Sequence, residues 1–190
     1  TSRTGAVRGA AVGRALGGPT VFKLLGPRNG DAEAPVSLSG AYSAEAANVM
    51  ADTLAGMPIE RAFVIHGEPG WDEATPVGPF ELYDVRPGVV RREVRDSLDL
   101  GMSRCTPGDL AGGDAAHNAA SLRAVFEGRD RGPHRDAVVL NTALALEVTG
   151  AVPDAAEAVR AAGVAIDRGD AVRLLERLAE FGRRPLSADH

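Results

Sequence analysis

Two neighbouring carboxylates, Asp72 and Glu73, stand in the segment GWDEATP, directly after the apolar run AFVIHGE at Ala62 to Glu68. Adjacent carboxylates on a loop can offer hard oxygen ligands, one direct and one through water, which suits magnesium shared with substrate phosphates. The same pair can equally be a solvated surface feature, and spacing alone leaves both readings open. His66, at the end of the apolar run, can act as a base or ligand, but it reads better as a packed, hydrogen-bonded strand-end residue. Trp71 can stack on an aromatic molecule or pack beneath the loop. Cys105 is the only cysteine, so neither an intrachain disulfide nor a multi-thiolate metal site can be built from this chain alone.

The elements that must hold these residues follow from the pattern around them. VSLSGAYS, Val36 to Ser43, alternates like a strand, and Ser43 is placed to cap a helical run through Ala44, Ala47, Met50, Ala51 and Leu54. The run at Ala62 to Glu68 fits a buried parallel strand opening at its C-terminal end into the acidic loop, where α/β proteins commonly bind ligands. PFELYDV and VVRREV, separated by Arg86-Pro87-Gly88, form a predicted hairpin. Helical periodicity follows over Asp114 to Glu127, with an apolar face at Ala116, Ala119, Ala120, Leu122, Ala124, Val125 and Phe126. It returns over Arg135 to Thr149, apolar around most of its circumference and therefore buried, from Asp154 through Ile166, and from Ala171 to Phe181. Thr1 to Gly18 reads as a short helix ended by Gly17-Gly18-Pro19, followed by an irregular loop rich in turn formers.

Composition bounds the class. The chain has 190 residues, of which 44% are hydrophobic and only 4% aromatic, which suits helices packed closely on a sheet in one α/β domain. A formal net charge of −5 with scattered arginines argues against nucleic acid as a partner. No stretch reaches the roughly 18 consecutive apolar residues of a membrane span. With one cysteine and no signal-like opening, the expected compartment is the cytoplasm.

Three segments, taken in order, resemble anthranilate phosphoribosyltransferase: ALGGPTVFKLLGP (Ala15 to Pro27), VIHGEPGWDEATPVGP (Val64 to Pro79) and GGDAAHNAASLRAVFEG (Gly112 to Gly128), the last running on into RDAVVLNTALAL (Arg135 to Leu146). The resemblance extends from about residue 10 to residue 181. It implies a mixed, mostly parallel sheet flanked by helices, as in the large domain of the nucleoside phosphorylase and anthranilate phosphoribosyltransferase-like fold. It also implies magnesium-dependent transfer of ribose 5-phosphate from phosphoribosyl pyrophosphate to the amino group of anthranilate, a step of tryptophan synthesis. In such a transfer the ribose becomes oxocarbenium-like while pyrophosphate gains charge, so the site must hold that anion through metal ions and oriented donors.

Carried over by matching position, Asp72 and Glu73 are the implied metal ligands. Lys23, Gly26 and Arg14 are the implied substrate-binding positions, while Asn118 and Asn141 are structural amides. Two departures bear on the acceptor. Gly13 stands where the family pattern has the arginine that holds the anthranilate carboxylate, with Arg14 one residue and about 100° of helix away. Lys23 replaces an asparagine and can meet a carboxylate as a mobile point charge. The family's N-terminal helical domain and glycine-rich phosphate loop have no counterpart in these residues; GGD at Gly112 to Asp114 reads as a helix cap. The expectation is therefore an incomplete large domain that acts with a second chain or segment supplying that loop, or else a non-catalytic or altered-acceptor paralogue.

Overall fold

The structure, a computed structural model, describes residues 34–183. Arg14, Gly13, Lys23 and Gly26 lie outside the described residues. Four strands, β1 (Val36–Gly40), β2 (Arg61–Gly67), β3 (Phe80–Arg86) and β4 (Val89–Arg95), form one sheet in sequential order. Helix α1 (Ala44–Ala55) lies between β1 and β2, and α2 (Ala115–Phe126), α3 (Pro133–Val148), α4 (Ala155–Asp167) and α5 (Asp170–Gly182) follow the sheet.

The expected mixed sheet flanked by helices is present. Among the described residues only the β1–β2 pairing is parallel, and β2–β3 and β3–β4 are antiparallel. The reason is local. β1 returns to β2 through a helix, the crossover that parallel neighbours need, whereas Pro87-Gly88 joins β3 to β4 in a tight reversal that only antiparallel strands can use. Gly88 takes a φ of 70° at that turn, and its amide donates to the Ala55 carbonyl, tying the hairpin to the end of α1.

β2 is the buried centre. Ala62, Phe63, Val64 and Ile65 are all buried because helices cover both faces of the strand. Val64, Tyr83 and Val85 pack against Ala47, Met50, Ala51 and Leu54 of α1. Phe63, Ile65, Phe80 and Leu82 pack on the other side against Leu140 and Leu144 of α3 and Ala162 and Ile166 of α4.

Helix starts follow the sequence closely. Ser43 accepts from the Ala46 amide, Asp114 from His117 and Asp154 from Glu157, each satisfying an amide of the first turn. GGD is thus the cap of α2, as its residues suggest. The strand read as Val36 to Ser43 stops at Gly40, because Ser43 is committed to capping α1. α3 matches its expected burial, with Val139, Leu140, Ala143, Leu144 and Val148 in the core. α2 does not: of its expected apolar face only Val125 is fully buried, and Ala116, Ala119 and Ala120 are exposed. Alanine methyl groups bury so little area that their spacing is a weak guide to which face is covered.

At the β2–β3 edge of the core, Arg61 makes a two-pronged contact with Asp84 (2.9 and 2.7 Å) and donates to the Glu147 carbonyl at the end of α3 (2.9 Å). Arg95 of β4 grips the Glu147 carboxylate at 2.6 and 2.8 Å. Both guanidinium groups lie over the Phe63 ring, at 4.6 and 5.8 Å from its centroid. Burial by itself would push the Asp84 carboxyl up, but the Arg61 hydrogen bonds and charge outweigh it and hold the group below the ordinary carboxylate range.

At the C-terminal ends of β1 and β2 the backbone comes unusually close to the loop beyond. A Cβ on Gly40 would fall on the Asp72 carbonyl, and one on Gly67 on the Glu73 carbonyl.

Two outcomes are expected. Asp84→Asn should lower stability by about 2 kcal/mol at neutral pH, since a hydrogen-bonded charge is lost. Because the folded pKa of Asp84 is depressed, its contribution is present above the unfolded pKa and is lost as pH falls through the folded value, so denaturation curves of the two proteins should converge in acid. Gly40→Ala, which forces backbone to move, should cost roughly 1–3 kcal/mol in the same denaturation experiment.

Candidate functional site

Beyond β2 the chain makes a tight turn. The Gly70 and Trp71 amides both donate to the Gly67 carbonyl at 2.8 Å, and the Gly67 amide donates back to the Trp71 carbonyl at 2.9 Å. Gly70 takes a φ of 125°, a conformation that side chains resist, and the Glu68–Pro69 peptide is cis. The turn delivers Asp72 and Glu73 to the rim above Gly40 and Gly67, at the C-terminal ends of the two parallel strands. Both residues are exposed. Immediately afterwards the chain dives inward: Ala74, Thr75 and Pro76 are buried, and Ala74 joins the core cluster of Phe63 and Phe80.

This is a fitting place for a metal held partly by substrate. Glu73 titrates above the ordinary glutamate range, first because neighbouring protein volume displaces water from its carboxyl, then because the Asp72 carboxylate repels its charge. The sign matters: a raised folded pKa means that the ionised carboxylate costs stability at neutral pH, and that the cost disappears in acid as the group protonates. A divalent cation would relieve the same repulsion. Neither carboxylate has a hydrogen bond or ion pair among the described residues, and no group of three or more His, Cys, Asp or Glu that could hold a metal is found there. A two-carboxylate set of hard oxygen donors fits magnesium completed by water and phosphate, not a closed structural metal site.

The other residues considered from the sequence fall into supporting roles. His66 Nδ1 lies 2.8 Å from the Ala41 carbonyl, and because a carbonyl only accepts, that nitrogen carries the proton. His66 thus ties β2 to the segment leaving β1, as its packed reading anticipates. Trp71 is half-buried in the loop. Asn118 accepts from the Gly113 amide at 2.8 Å and donates to the Gly113 carbonyl at 3.1 Å, so it organises the GGD turn. Asn141, on α3, accepts from the Ala74 amide at 3.2 Å and donates to the Ala74 carbonyl at 2.7 Å. The glycine pair Gly40 and Gly67 was not anticipated from the sequence. The signal was available, since a glycine ends both strands that lead to the acidic loop.

No helix among the described residues is long and apolar enough to cross a membrane. The chain spans about half the length of the curated relatives it matches. It is 43% identical over 175 residues to an anthranilate phosphoribosyltransferase of Desulforudis audaxviator, covering 92% of this chain and 50% of that protein. The crystal structure of anthranilate phosphoribosyltransferase from Thermus thermophilus superimposes with a TM-score of 0.78 at 34% identity, over 92% of this chain and 51% of that one. The Saccharomyces cerevisiae enzyme in complex with PRPP and Mg matches with a TM-score of 0.73 at 26% identity, over 88% of this chain and 48% of that one. The fold expected from the sequence is therefore the fold of these enzymes. With residues 2–172 matching its model, this chain belongs to the family described as glycosyl transferase family, a/b domain.

Proposed function

We propose that this chain supplies the magnesium-holding half of an enzyme that transfers phosphoribosyl from phosphoribosyl pyrophosphate to anthranilate, in the tryptophan pathway of the cytoplasm. The other half, on the same polypeptide or another, would contribute the glycine-rich phosphate loop. The observation that carries this reading is the placement of Asp72 and Glu73, exposed and without a hydrogen bond or ion pair among the described residues, at the C-terminal ends of the parallel β1–β2 pair, in a chain whose relatives include a structure with PRPP and Mg bound. Magnesium bound there would neutralise the charge that pyrophosphate gains as it departs. The residues of the chain itself do the holding. Asp72 and Glu73 offer oxygen ligands, and the glycine ends of β1 and β2 let their backbone sit close to the sheet.

A second reading, transfer to a different aromatic acceptor, is favoured by one sequence feature. Gly13 and Lys23 replace an arginine and an asparagine of the family pattern, so a carboxylate-bearing ring would meet a flexible ammonium group and not a fixed guanidinium fork. Lys23→Ala should then weaken acceptor binding while leaving the affinity for phosphoribosyl pyrophosphate unchanged. Unchanged acceptor affinity would rule the lysine out.

Two further outcomes follow from the acidic pair. In the assembled enzyme, with phosphoribosyl pyrophosphate, magnesium and anthranilate, the double substitution Asp72→Asn with Glu73→Gln should lower kcat/KM by ~100-fold or more, as loss of a charge-stabilising group does elsewhere. Release of pyrophosphate at the wild-type rate would refute the proposal. Without metal, Glu73→Gln alone should raise Tm at neutral pH and lose that advantage in acid, because it removes a carboxylate whose folded pKa is raised.

A further inference from the structure

We infer that Asn141 is the positioning residue of the acidic loop: its side-chain amide fixes the backbone from which Asp72 and Glu73 reach a bound metal. This rests on the metal-holding role given to that loop above.

Neither Asp72 nor Glu73 makes a side-chain hydrogen bond or ion pair among the described residues. Two oxygens can share a small, geometrically demanding cation only if they are held where the cation needs them, so the burden falls on the main chain beneath. On the strand side that main chain is shaped by sterics, with the Asp72 and Glu73 carbonyls lying against Gly40 and Gly67. Such contact prevents approach but does not prevent the loop from lifting.

Before Asp72 the Gly67–Trp71 hydrogen bonds hold the loop down; after Glu73 the restraint comes from α3. Asn141 Oδ1 accepts from the Ala74 amide (3.2 Å), and Nδ2 donates to both the Ala74 carbonyl (2.7 Å) and the Ala137 carbonyl (2.9 Å). Both protons of the amide and its oxygen are thereby used. The two bonds to Ala74 copy the way a neighbouring strand would pair with it, although among the described residues no strand pairs there. The bond to Ala137, one turn earlier in α3, fixes which way the amide faces. Ala74 follows Glu73 directly, and its own methyl is fully buried in the core with Phe63, Phe80 and Leu140. Its peptide groups have lost water, so Asn141 is the group that satisfies them.

Asn118 provides an internal comparison. It makes the same pair of bonds to Gly113, but in an exposed turn and to a residue that is not part of the acidic loop. The same chemistry at Asn141 is half-buried, and it grips the residue that directly follows the two carboxylates.

The test uses the full chain with Mn2+ alone as probe, followed by electron paramagnetic resonance, together with hydrogen exchange at Ala74. In the wild-type protein the Ala74 amide should exchange as slowly as amides of β2. Asn141→Ala should weaken Mn2+ binding by about 10–100-fold, the range found when a group supporting a metal ligand is removed. Val139→Ala, which trims the core of the same helix, and Asn118→Ala should both leave Mn2+ affinity within about twofold of wild type, so a general loss of stability would not imitate the effect. Asn141→Asp keeps the acceptor but turns a charged oxygen toward two carbonyls, and should bind Mn2+ no better than the alanine variant. If Asn141→Ala does not fold, fast exchange at Ala74 in the wild-type protein still overturns the inference. It is equally overturned if Asn141→Ala binds Mn2+ normally while Asp72→Asn with Glu73→Gln does not. Should that double variant also bind normally, the metal-holding role itself has failed, and with it the basis for any positioning residue.

Discussion

Strand β2 must be buried on both faces, and most of the architecture follows from that requirement. With β1 on one edge, β3 on the other and helices above and below, four successive residues, Ala62 to Ile65, are buried. A strand in that position cannot alternate polar and apolar residues; it must be continuously apolar. Its two faces then dictate two separate clusters, one under α1 and one under α3 and α4. The first residue able to leave the core is at its C-terminal end, and that is where the acidic loop begins.

The second organising feature is a set of charges around Phe63. Arg61 and Asp84 are 19% and 20% exposed, so both have lost much of their hydration. Pairing in a two-pronged geometry, with a third bond to the Glu147 carbonyl, is what makes this tolerable. Arg95 completes the arrangement from β4. The consequence reaches the candidate site. These contacts fix the C-terminal end of α3, and Asn141 lies six residues earlier on the same helix, about 9 Å along its axis. A rigid helix clamped at its C-terminal end thus carries an amide at its middle to a defined point against the loop.

The loop itself trades stability for readiness to bind. Loss of water around Glu73, and after it the neighbouring Asp72 charge, raises the cost of ionising Glu73, and no basic side chain among the described residues offsets it. A carboxylate pair satisfied by its own protein would have less to gain from a cation. Among the described residues the pair meets no cation, and its backbone is fixed by glycine contacts below and Asn141 behind, which keeps the charges available and the geometry constant.

Much of this can be read in the residues alone, and the reason is that the signals are local. Ser43, Asp114 and Asp154 announce helices because each cap reaches an amide only three residues away. The hairpin is written in Pro87-Gly88 and its alternating flanks, and the acidic pair in two adjacent letters. Strand direction, the cover of each helix and the partners of the loop depend on contacts between distant parts of the chain. α2 shows the limit: its alanines are spaced for a buried face, yet three-dimensional packing leaves most of them exposed. The close approach of Asp72 to Gly40 and of Glu73 to Gly67, and the reach of Asn141 across 67 residues to Ala74, belong to that second class. Residue types and their spacing are enough to say which groups can do chemistry. How those groups are held is settled later, by backbone surfaces that meet only after the sheet and its helices have packed.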